Sequence, residues 1–235
     1  MTVIVGVDLE TNSLNKETGD VVELGYAVYD VDAHNVLYVC DDFMQGMKVS
    51  EETTRITGIT QEQVDCYGII PGNAYARFLA TVFKSQAVAL VAHNGLTFDY
   101  PFLNSHMKRV SGDVMSLPNV HLVDTRTDIA YPKNVVGRSQ KAIQDAMGIV
   151  NPYQHRAIFD VLSMLDILAR FDFKEVLHVA VNSPLTYITP VGRVDNWTLK
   201  QNGFYFKDGV KWGKAIREAL FAHEKSVLPF DIDLW

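Results

Sequence analysis

Val3-Ile4-Val5-Gly6-Val7-Asp8-Leu9-Glu10 is the stretch on which the reading of this chain turns. Small and β-branched residues fill its first half, as in a strand covered on both faces, and the run ends where acids begin. Outward from it, Val21 to Tyr29 (VVELGYAVY) and Val36 to Phe43 are also β-rich, with a polar hairpin loop from Asp30 to Asn35. The three form an antiparallel meander. Two short buried strands follow, Ala87 to Val91 and Val120 to Val123, among helical patterns at Gly72 to Lys84, Leu96 to Val110, Ser139 to Met147 and Arg156 to Phe171. The expected fold is therefore α/β, a mixed five-stranded sheet covered by helices.

The 235 residues suffice for one sizeable core and a small appendage. We read 1–174 as the main domain and 175–235 as the appendage, because Asn182-Ser183-Pro184 breaks the helical pattern. There Phe204-Tyr205-Phe206 and Val210-Lys211-Trp212 flank Lys207-Asp208-Gly209, a hairpin signal, with a closing helix expected from Lys214 to His223. A content of 48% hydrophobic and 21% charged residues excludes a disordered chain. No apolar run approaches the roughly 18 residues that span a bilayer. MTVIVGVDLE lacks a basic leader, and Cys40 and Cys66 have no metal or redox spacing. The expected location is cytoplasmic, or the host cytoplasm for a phage protein. A net charge of −7 argues against broad attraction to phosphates, but not against acids that hold cations.

Asp8 and Glu10 lie two apart at a strand end, so their carboxylates share a face. Taken alone, such a pair is most often a solvated rim. Asp99 follows a buried strand in VAHNGLTFDYPFL, however, and Asp160 sits between Phe159 and Val161 on an apolar-striped helix, with His155 at its entrance. Four converging carboxylates repel unless cations are present, and all-oxygen sites suit Mg²⁺ or Mn²⁺. Two such ions about 3.5–4 Å apart can grip both oxygens of an in-line phosphoryl displacement. A neutral histidine can then act as general base, although a lone His is more often a cap or a surface residue.

Asp8-Leu9-Glu10-Thr11, His93-Asn94-Gly95 through Asp99, and His155-Arg156-Ala157-Ile158-Phe159-Asp160 resemble, in order, the three motifs of the DEDDh exonucleases. Thr57-Gly58-Ile59-Thr60 is similar to a segment common between the first two motifs, and the HNG…FDYP stretch resembles TREX-like and bacterial proofreading members. The resemblance covers roughly residues 1–170. It implies an RNase H-like fold and metal-dependent 3′→5′ hydrolysis releasing nucleoside 5′-monophosphates. By position, Asp8, Glu10, Asp99 and Asp160 would bind two divalent ions, Mg²⁺ or Mn²⁺, with Asp8 bridging them and His155 as the base. Thr11 falls where backbone meets the 3′-hydroxyl. Leu14 falls where an apolar side chain meets the terminal base, although a loop residue tucked onto the core fits as well. The family has Gly soon after that Thr, whereas this chain has Asn12-Ser13, Asn being tolerant of left-handed backbone.

His93 and Asn94 are candidates for substrate contact or for shaping the turn before Asp99. Tyr131, Pro132 and Arg138 border the same region. From Trp197 to Arg217 five bases face one acid among aromatic rings, which suits stacking of a single strand, with Lys207, Lys211 and Trp212 as candidates. The other reading is a mini-core that docks the hairpin on the main domain. The expected partner is a nucleic acid with a free 3′ end, single-stranded DNA foremost. An RNA-trimming enzyme of the same fold and a polymerase proofreading subunit are the alternatives, and no membrane partner is expected. A catalytically dead binder is disfavoured because all five chemical positions are intact.

Overall fold

A computed structural model describes residues 1–112, 114–207 and 209–235. Strands β1 (Val3–Thr11), β2 (Val21–Asp30) and β3 (Asn35–Phe43) form the antiparallel meander. Helices α1 (Glu51–Thr57), α2 (Gln61–Tyr67) and α3 (Pro71–Lys84) lead to β4 (Ala89–Ala92), α4 (Asp99–Ser111) and β5 (His121–Asp124). Helices α5 (Gln140–Met147), α6 (Ala157–Leu168) and α7 (Phe173–Asn182) follow. The strand order β3-β2-β1-β4-β5, with β4 and β5 parallel to β1, makes the expected mixed five-stranded sheet.

Alternation along β1 assigns its two faces. Val3, Val5, Val7 and Leu9 pack with Tyr75, Phe78 and Phe102 of α3 and α4. Ile4 lies on the opposite face with Val161, Met164 and Leu165 of α6. The even positions continue on that face to Asp8 and Glu10. β2 is buried along its whole length because both faces are covered, whereas β3 is an edge strand that leaves Val36, Leu37, Tyr38 and Val39 exposed.

α7 belongs to this body: its Phe173, Val176 and Ala180 pack in the α6-side core, the last two beyond residue 174. A second sheet, β7-β8-β6-β9, is built from β6 (Leu185–Pro190), β7 (Tyr205–Lys207), β8 (Lys211–Arg217) and β9 (Ile232–Leu234), with α8 (Asn196–Gln201) and α9 (Phe221–Val227). The β7-β8 hairpin is present, although Asp208 of its turn lies outside the described residues. The helix expected from Lys214 to His223 is not there. Lys214 through Arg217 instead pair antiparallel with β6, and the helix begins at Phe221. Ladder bonds to a distant strand outweigh local helical preference at these four residues.

Candidate active site

All four acids arrive at the carboxyl end of β1. Asp8 pairs with Gly25 and Glu10 with Glu23 across the β1-β2 ladder. Gly25 matters sterically: a Cβ there would stand 2.4 Å from the Ile158 nitrogen and 2.5 Å from the Ala157 carbonyl carbon. The missing side chain lets the start of α6 descend onto the sheet beside Asp8. Asp160 thus enters from the first turn of α6, and Asp99, almost fully buried, from the first turn of α4.

The electrostatics are those of crowded like charges. Burial raises the Asp8 carboxyl well above its ordinary value, and Asp99, Glu10 and Asp160 raise it further. Burial, then Glu23 and Asp160, push Glu10 up to about 8. Asp99 rises to about 7, by burial and then Asp124, and Asp160 to about 6, by burial against several hydrogen bonds. Ligand atoms of Glu10, His155 and Asp160 lie within 4.8 Å of one another. An oxygen-rich donor set with one imidazole, with Asp99 and Asp160 raising both Asp8 and Glu10, fits a divalent cation.

His155 is exposed and takes left-handed backbone, φ 62°. Its amide donates to Asp160 Oδ2 at 2.9 Å, while Asn151 Nδ2 donates to Oδ1 at 2.7 Å. Both Asp160 oxygens are therefore oriented, and the loop that carries the imidazole is tied to that carboxylate.

Thr11 and Leu14 line a cavity of about 350 Å³ with Glu10, Ile56 and Phe98. Leu14 is 83% exposed, so its side chain stands at the cavity rather than in the core. The turn after Thr11 needs no left-handed residue at Asn12. Asn12 instead exchanges backbone and side-chain hydrogen bonds with Asp20, and its amide reaches the Lys48 carbonyl at 2.9 Å. Gly58 ends α1 at φ 73°, and Thr60 opens α2 with a capping box, which is why a Gly-Ile-Thr segment suits this wall.

Both His93 ring nitrogens are engaged by protein, with Thr125 Oγ1 and the Arg138 carbonyl, each at 2.9 Å. Burial and Arg126 lower its pKa to about 4, so the ring is neutral. Asn94 has φ 65°, and its Oδ1 accepts from Thr97 Oγ1 and Arg126. Tyr131 is buried with its hydroxyl donating to the Thr125 carbonyl. In the second sheet, Trp212 packs edge-on against Phe206, and the Lys207 and Lys211 ammonium groups lie 5.5 and 4.3 Å from the Trp235 ring. Lys214 and Arg217, two of the five bases, are buried in ion pairs with Glu224 and Asp128. The rings divide likewise: Phe204 is in the small core, while Tyr205 and Phe206 are exposed.

Two acids that shape the site are absent from the motif residues. Glu23, fully buried, accepts from Arg156 Nε at 2.8 Å and from the Ala157 amide at 2.8 Å, clamping the N-terminus of α6. Its signal was a lone acid inside the apolar run VVELGYAVY. Asp124, at the end of β5, accepts from the Asn94 and Leu96 amides and so fixes the loop that delivers Asp99. Like Asp8 it is an acid at the carboxyl end of a buried strand, the pattern that would have marked it.

A mixed sheet with a carboxylate cluster at the end of its central strand defines the class of RNase H-like nucleases. A family model for exonucleases (RNase_T) matches residues 5–168, and the chain belongs to that family. It is similar to the PolC-type DNA polymerase III of Lactococcus lactis subsp. lactis (strain IL1403), 27% identical over 157 residues, 65% of this chain. The chain spans only 9% of that polymerase's length. Among solved structures, exonuclease I superposes with a TM-score of 0.67 at 14% identity, covering 86% of this chain and 50% of that one. The nuclease domain of 3′hExo, a DEDDh family member bound to rAMP, gives 0.60 at 13% identity over 72% of this chain and 90% of its own. E. coli exonuclease I with a dT13 oligonucleotide gives 0.61 at 14% identity, over 82% and 49%. At these identities the likeness is one of fold.

Proposed function

We propose that this protein removes nucleotides one at a time from the 3′ end of a nucleic-acid strand, single-stranded DNA foremost, releasing nucleoside 5′-monophosphates. The observation that carries the reading is the meeting of Asp8, Glu10, Asp99, Asp160 and His155 beside the cavity bordered by Thr11 and Leu14. Thr11 backbone and the exposed Leu14 would receive the terminal 3′-hydroxyl and base. Asp8, Glu10, Asp99 and Asp160 would hold two divalent ions, Mg²⁺ or Mn²⁺. When bound, such ions neutralise charge building on the attacked phosphate. His155 would take the proton of the attacking water; the new P–O bond forms as the P–O3′ bond breaks, and the leaving O3′ takes a proton from solvent, so the shortened strand ends in a 3′-hydroxyl. His93 and Asn94 shape the wall beside Asp99. The second sheet and its helices would carry the strand outward, with Lys207, Lys211 and Trp212 as contacts for longer substrates. Duty beside a polymerase is the second reading, supported by the PolC-type relative.

The test uses 5′-labelled DNA and RNA, single- and double-stranded, with Mg²⁺, Mn²⁺ or EDTA. The expected result is a ladder shortened from the 3′ end, loss of activity in EDTA, and turnover lower by about two to four decades in His155→Ala. Shortening from the 5′ end, or cuts in a circular strand, refutes the proposal.

A further inference from the structure

The cleft between the two sheets lies just beyond the acid cluster and has the opposite charge. A cavity of about 310 Å³ is lined by Asn94, Thr97, Arg126, Arg138, Tyr205 and Lys214 among others, and no acid lines it among the described residues. A second hollow of about 340 Å³ shares Arg126, Arg138 and Tyr205 with it and adds Lys200. Arg138 and Lys214 are both about 4% exposed and share one carboxylate, Glu224, at 2.9 and 2.6 Å. Two buried cations therefore stand over one buried anion. Arg126 adds a third cation, and its Nη1 donates to the neutral Asn94 amide oxygen at 3.1 Å. Uncompensated positive charge in a recess of a protein of net charge −7 calls for an anionic occupant.

The position of the cleft says which anion. Asn94 and Thr97 lie on the segment that ends at Asp99, and Gln140, two residues past Arg138, donates to the Asp160 carbonyl at 2.7 Å. The cavity of Thr11 and Leu14 lies toward Phe98 on that same segment. Cavity and cleft thus flank one segment, with Phe98 lining the first and Thr97 the second. We propose that Arg126 and Lys200, backed by the Arg138–Glu224–Lys214 cluster, form the track for phosphates on the 5′ side of the cut. This rests on the exonuclease reading above and adds the path of the substrate. The ligand chemistry is the phosphodiester backbone of a single strand, DNA or RNA alike. Tyr205, at the cleft, begins the hairpin whose far end bears Lys207 and Lys211, so longer strands continue along it.

Fluorescence anisotropy in EDTA, where nothing is cut, measures binding apart from catalysis. The probes are labelled dT12, U12 and dT3, titrated at several salt concentrations. Arg126→Gln with Lys200→Gln, both outside the buried ion pairs, is expected to weaken dT12 and U12 by about tenfold. It should also flatten the log–log salt slope by about 1–1.5, since each phosphate contact to a single strand contributes about 0.7. Binding of dT3 should hold, and Arg126→Lys should retain most of the affinity. Unchanged affinity and slope on both 12-mers overturn the track, as does a loss confined to one sugar type or an equal loss on dT3. Hydrolysis by the wild-type protein in Mn²⁺ is scored separately. Its absence refutes the exonuclease reading, whereas intact hydrolysis with unaltered variant binding refutes only the track.

Discussion

Asp8 is where a metal site and a structural carboxylate network make opposite demands. Burial, then its acidic neighbours, raise its pKa, so Asp8→Asn removes both the buried charge and the repulsion while keeping shape. The variant should melt higher than wild type in EDTA, lose most of the stabilisation given by Mn²⁺, and cease hydrolysis. Thermal melts of both proteins in EDTA and Mn²⁺ check this, and a variant that melts lower in EDTA yet responds to Mn²⁺ like wild type would refute a metal role. The pH dependence follows from the same residues. Glu10 ionises in the unfolded chain near pH 4 but in the fold only at about 8. Over that interval the folded state holds more protons, so metal-free stability falls as pH rises from about 4 to 8 and then levels. Bound cations should reverse the trend, because they compete with those protons.

Helix α6 delivers Asp160, and its approach depends on Gly25 together with the Glu23 clamp. Gly25→Ala would drive a methyl into helix backbone, not into a flexible side chain. Urea melts should show a loss of about 1–3 kcal/mol, with turnover falling as Asp160 and His155 are displaced. The elements themselves were largely legible. Apolar runs at Val3, Val21 and Val36 and the stripe of α6 announced strands and helix, and the spacing of acids announced the cluster. α1 and α2 were missed because each has seven residues, too short for a hydrophobic period to show. Their signals were the caps Ser50 and Thr60. Lys214 to Arg217 misled because local composition carries no record of a partner strand almost thirty residues away. Glu23 and Asp124 carried local signals, an acid inside an apolar run and an acid at a strand end, but the amides that each one holds lie far off in sequence, so their roles showed only in the fold.

Across the whole molecule, the two sheets are joined by buried charge. Arg217 Nε contacts Asp128 at 2.6 Å and its Nη1 reaches the Ser183 carbonyl, while Asp128 also accepts from the Asp124 amide. Arg217→Met would leave Asp128 buried without its cation. Denaturation should show a loss of about 3–5 kcal/mol, part of it recovered on adding Asp128→Asn. Because Asp128 braces Asp124, and Asp124 braces the loop of Asp99, the double variant should still turn over more slowly than wild type.

The order β3-β2-β1-β4-β5 also has a kinetic side. β1, β2 and β3 are joined by short loops and can pair as soon as they exist, but β1 meets β4 only after a closure of more than eighty residues, Ile4 opposite Ala89. α6 arrives from farther still. Asp8 and Glu10 therefore belong to the part that assembles early, and Asp99 and Asp160 to the parts that arrive late. The final long-range docking brings four acids together, so refolding is expected to be slower at high pH in EDTA than in mild acid, which stopped-flow refolding across pH checks. A divalent ion that binds the assembled acids should speed that docking too, so that closing the centre and loading it become one coupled event.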